Sequence, residues 1–144
     1  MKRWLWILLA VLTVHLLGTQ GTNLEDLEPV QLLQAEQREG KILLKTDTGS
    51  EGQGSTLDQA LEDLKQSASG RIFLETAEQV LIVEGAESLL PGLSRVLRPG
   101  VRVIRGKKPM EPAQAAAYLR VHKTKTTLAD VRAGAKNLPL LQEE

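Results

Sequence analysis

The hydrophobic pattern of this chain changes period several times, and each change marks an element. The basic pair Lys2-Arg3 is followed by an apolar run from Trp4 to Leu17 and then by Gly18-Thr19-Gln20-Gly21. A run of about 14 residues is shorter than the roughly 20 that a spanning helix needs, and it has the layout of a secretory leader. The pattern predicts a leader over residues 1–21, either removed on export or kept as an N-terminal anchor helix.

Beyond it, Val30–Glu36 and Ile42–Thr46 read as two strands. Gln37-Arg38-Glu39-Gly40 forms a hairpin turn between them, with Gly40 free to take positive φ. Asp47–Gly54 reads as a glycine-rich loop. Ser55 is the expected cap of the next helix, with Asp58 completing a capping box. Leu57, Ala60, Leu61 and Leu64 put one apolar stripe on that helix.

Arg71–Leu74 is a short apolar piece. Gln79–Val83 carries four consecutive aliphatic residues, as a strand covered on both faces should. Leu89, Leu93, Val96 and Leu97 recur at helical spacing across Ala86–Leu97, with Pro91 and Gly92 predicting a kink or a start at Pro91. Pro99-Gly100 is a turn, and Val101–Ile104 is a further strand parallel to Gln79–Val83. Strand, helix and strand in such short order form a βαβ unit. Pro112 opens an Ala-rich helix to Val121. Thr127 and Asp130 cap a last helix that runs to about Ala135. The expected fold is α/β: one small domain over residues 22–136, with a mixed sheet containing a βαβ unit. Residues 137–144 are the expected flexible tail.

Composition narrows the chemistry. The chain has no cysteine, which excludes disulfides, thiolate metal sites and thioether lipidation. Leu16-Leu17-Gly18 is what precedes the lipid-bearing cysteine of bacterial lipoproteins. Here Thr19 follows, and a hydroxyl cannot replace the thiolate. The net charge is zero but segregated. Residues 22–94 hold 14 acids against 5 bases, and residues 95–136 hold 11 bases against 2 acids. Such a dipole could dock to an acidic partner or to anionic lipid, unless the two halves interleave in space and neutralise each other.

Gly49–Thr56 has the glycine spacing of a phosphate loop, but Ser55 stands where the lysine is needed and Glu51 would repel phosphate. His15 lies in the leader and His122 among Arg120, Lys123 and Lys125, so neither a zinc site nor a Ser-His-Asp triad can be assembled. Glu62-Asp63, Glu75, Glu78, Glu84 and Glu87 leave a carboxylate-pair hydrolase as the one enzymatic alternative. After the leader the aromatics are Phe73 and Tyr118, too few for base stacking, so no nucleic acid is expected. Nor is any catalytic residue, metal, cofactor or small-molecule substrate. The expected contact surface is basic: Arg98, Arg102, Arg105, Lys107 and Lys108.

The order of these segments resembles the N-terminal domain of the Ger(x)C spore-germination lipoproteins, the C subunits of nutrient germinant receptors. Leu16-Leu17-Gly18 is similar to that family's start. Leu24-Glu25-Asp26-Leu27 resembles its "E-L-E-x-L" segment, and Gly52–Leu61 its "EG-x-S-x-x-E-A-L" helix start. Arg71-Ile72-Phe73-Leu74 with Val80–Gly85 resembles its "R-L-F…V-L-I-I-G-E" passage, and Val101-Arg102-Val103 with the Ala-rich helix its last strand and helix. Thr19 replaces the lipidated cysteine, and the chain stops where that family continues into a larger C-terminal domain. The resemblance implies a non-enzymatic, exported, membrane-associated protein of a spore-former. Its partners would be other germination receptor subunits, and its place the spore inner membrane. The alternative is an exported domain that engages anionic lipid or cell-wall polymer through its basic half.

Overall fold

The computed structural model describes residues 27–141. The expected leader and the residues from Thr22 to Asp26 lie outside the described residues. The hairpin comes first in the main sheet: β2 (Leu32–Arg38) returns as β3 (Lys41–Thr46), paired antiparallel with Arg38 opposite Lys41. Glu39 and Gly40 both have positive φ, 49° and 77°. That is the two-residue turn whose twist matches a hairpin. Before it, β1 (Leu27–Pro29) pairs in parallel with β5 (Arg71–Phe73) as a separate two-stranded ribbon.

The chain then departs from expectation. Glu51–Gly54 is not loop but strand β4, antiparallel to β3. Its glycines explain both the misreading and the strand. Helix α1 (Leu57–Ser67) lies directly on β4. A Cβ on Gly52 would run into the backbone of Ala60 and Leu64, and one on Gly54 would come within 2.6 Å of the Ala60 amide nitrogen. The cap is also displaced by one residue. Thr56, not Ser55, accepts from the Gln59 amide, while the Ser55 hydroxyl donates to the Gln59 side chain at 2.6 Å. Asp58 completes no capping box. Ala60, Leu61 and Leu64 are buried, as the stripe requires.

The βαβ unit is present. β6 (Gln79–Val83) is fully buried and lies between β2 and β7 (Arg102–Gly106), parallel to both. A 3₁₀ turn at Glu87–Leu89 leads into α2 (Leu90–Val96), with Pro91 in its first turn where its missing N–H costs nothing. The five-stranded sheet has the order β4-β3-β2-β6-β7 and is mixed.

Helix α3 spans Pro112–Val121 and α4 spans Leu128–Arg132. The capping box of α4 forms as expected: Thr127 accepts from the Asp130 amide, and Asp130 accepts from the Thr127 amide at 2.8 Å. Those bonds hold the Asp130 carboxyl below its ordinary value. The helix stops short of Ala135, where Gly134 takes φ 100°.

Strand alternation divides the core. Leu33, Ala35, Ile42, Leu44, Val80, Ile82 and Val103 join residues of α1, α2 and α4 in the larger cluster. Leu32, Leu81 and Ile104 face the other way and meet Ala115, Ala116 and Leu119 of α3. The result is a three-layer domain. No helix of the described residues is long and apolar enough to cross a membrane.

Candidate functional site

Both edges of the main sheet are occupied by the chain itself. On β7, the Val103 amide donates to Thr126 O and the Arg105 amide to Pro139 O, while the Leu141 amide donates back to Arg105 O at 2.7 Å. The stretch expected to hang free is therefore paired over Pro139–Leu141, and Leu141 is buried in the smaller cluster. On β4, the Gln53 amide donates to Asp63 at 2.8 Å and the Ser67 hydroxyl donates to Glu51 O. Naked strand edges invite pairing with other chains, and these two are blocked. Asp63, weighed above as half of a carboxylate pair, thus has a structural partner.

The five expected contact residues do not converge on one patch. Arg98 sits before β7, at the end where the parallel strands begin, and one guanidinium nitrogen reaches Ala77 O at 3.4 Å. Arg102 opens β7 half-buried, with one Nη buried and without a hydrogen bond. Arg105, Lys107 and Lys108 lie at the opposite end. Arg105 pairs with Glu87 at 3.8 Å, and Lys107 and Lys108 are exposed. Four residue steps along extended β7 put Gly106 about 13 Å from Arg102. The far end also holds Glu84 and the pair of Arg38 with the buried Glu36. There the acidic and basic halves of the sequence interleave.

The remaining candidates scatter. Glu62 accepts from Gln66 on its own helix, and Glu87 accepts from the Gly85 amide at 2.8 Å. His122 stacks on Tyr118 with ring centroids 4.2 Å apart. Among the described residues, no group of three or more His, Cys, Asp or Glu is placed to hold a metal ion.

A different feature assembles at the end where the parallel strands begin, the entry end of the domain. Leu27, Ile72, Phe73, Leu74 and Val96 line an open cleft of about 540 Å³ together with Lys65, Arg71 and Glu75. Phe73 and Val96 remain 37% and 40% exposed. Sequence reading missed this cleft because its lining comes from β1, α1, β5 and α2, four separate segments. The one available signal was Phe73, a lone aromatic in a short apolar piece.

No family model, no curated protein and no solved structure matches this chain.

Proposed function

We propose that the chain is a non-catalytic binding module held at the outer face of a membrane. The observation that carries this is the N-terminal pattern: Lys2-Arg3, the apolar run Trp4–Leu17 and the small-residue exit to Gly21. Thr19 in place of cysteine makes the attachment one of peptide and not of lipid. On the resemblance to Ger(x)C domains, its role is in germination or sporulation, through contacts with receptor subunits.

Two experiments test the reading separately. In intact protoplasts, external protease should digest the domain while cytoplasmic markers survive, and labelled palmitate should not enter the protein. A domain that stays protected in sealed protoplasts overturns the placement. For the role, spores lacking the gene should germinate more slowly on nutrients; unchanged germination kinetics would remove germination and leave only the binding module.

A further inference from the structure

We infer that the entry-end cleft is the face the domain lays on an anionic bilayer, with Phe73, Val96 and Leu27 dipping into the headgroup layer. The inference rests on the membrane reading above and adds which surface makes the contact. Three observations carry it.

The first is the make-up of the cleft. Apolar side chains half in water are costly to leave uncovered, and here they stand beside Lys65 and Arg71, with Glu75 in the lining and Glu78 exposed at the same end. Arg98, anchored on Ala77 O, lies at the same end. Apolar tips flanked by Lys65, Arg71 and Arg98 suit the boundary between acyl chains and anionic headgroups.

The second is reach. Leu27 both lines the cleft and begins the described domain. Nine residues separate it from Leu17, the last residue of the apolar run. That tether spans at most about 35 Å when fully extended. A domain of this size is itself about 35 Å across. A chain anchored by Trp4–Leu17 therefore presents its entry end to the bilayer without strain, whereas presenting the far end would stretch the tether along the whole molecule.

The third is the character of that far end. The exposed Lys41, Lys107 and Lys108 stand there among acids: Arg105 is paired with Glu87, Arg38 with Glu36, and Glu84 is exposed between the strand ends. Charge is mixed at both ends, and the exposed Phe73 and Val96 are what set the entry end apart.

The absence of cysteine makes the test clean. Single variants Phe73→Cys, Val96→Cys and Lys107→Cys in the full chain would carry an environment-sensitive fluorophore, with the protein reconstituted into phosphatidylglycerol–phosphatidylcholine vesicles containing a headgroup-attached nitroxide quencher. Quenching at 73 and 96 should exceed that at 107 several-fold, and should fall when phosphatidylglycerol is omitted. Lys65→Gln and Arg71→Gln should each shift the apposed-to-lifted equilibrium about fivefold toward lifted. Equal quenching at all three positions, or more at 107, overturns the inference while the membrane reading stands, provided the chain floats with vesicles. A label at 73 already shielded before vesicles are added means that residues 1–26 cover the cleft. One shielded in proportion to protein concentration means that a second copy does. Either result overturns the inference. A chain that does not float with vesicles defeats the membrane reading itself.

Discussion

Gly52 shows how one residue can carry a packing role that looks like a binding motif. It lies in a run, Gly49–Thr56, whose spacing imitates a phosphate loop. Its hydrogen is what lets the backbone of α1 approach β4. Replacing it with alanine forces strand and helix apart, and overpacking of this kind costs about 3 kcal/mol. Gly40 is the contrast: its positive φ strains any other residue, but nothing surrounds it. Gly40→Ala should cost about 1 kcal/mol, the ordinary penalty of a left-handed non-glycine residue. Urea denaturation of the two variants should give that ranking. If Gly52→Ala proves no worse than Gly40→Ala, then α1 does not sit as tightly on β4 as described. The one-residue slip of the cap belongs to the same scale. Ser55 and Thr56 are both good caps in sequence; Thr56 takes the cap, and Ser55 bonds the Gln59 side chain instead.

At the scale of elements, legibility followed the range over which the signal acts. β6 and α3 have the limits their patterns predict, Gln79–Val83 and Pro112–Val121, because four aliphatics in a row and a proline start are local signals. β4 was invisible: Glu51–Gly54 contains two glycines and no β-branched residue, and it becomes a strand through pairing with β3 and cover by α1. The β1–β5 ribbon was equally hidden, since Leu27 finds Arg71 across 44 positions. The contact surface dispersed for the same reason, because residues adjacent in sequence around β7 fall at opposite ends of the strand. The tail is the most testable of these differences. Leu141 is buried against Leu32, Leu81 and Ile104, while its neighbour Leu140 is 37% exposed. Leu141→Ala should therefore cost about 2 kcal/mol, the low end for a buried leucine near a chain end. Leu140→Ala should stay within about 0.5 kcal/mol. Equal effects, read from urea midpoints, would mean that the tail is not docked on β7.

For the whole molecule, the sheet's two coverings are unequal, and that inequality sets how the domain opens. One face carries α1, α2 and α4 over the larger apolar cluster. The other carries α3, whose buried side chains are Pro112, two alanines and one leucine. The strands beneath it present polar groups as well: Gln34, Glu36 and Gln79 are buried on that face. Gln79 donates to Leu119 O at 3.1 Å, yet its own Oε1 and the Gln34 Nε2 make no hydrogen bond. Lifting α3 releases little apolar area and lets those amides reach water, whereas lifting the opposite layer exposes the main core. Local openings draw on regions with few buried apolar contacts. Native-state hydrogen exchange should therefore show α3 amides exchanging at a free energy well below that of β6. β6 should report global unfolding, since parallel partners flank it on both sides and cover lies on both faces. Leu119→Ala should lower the opening free energy of α3 by about 2 kcal/mol, because the removed side chain is the largest one the helix buries. If α3 and β6 amides exchange with the same free energy, the domain opens as one unit, and the polar interior beneath α3 has no bearing on its dynamics.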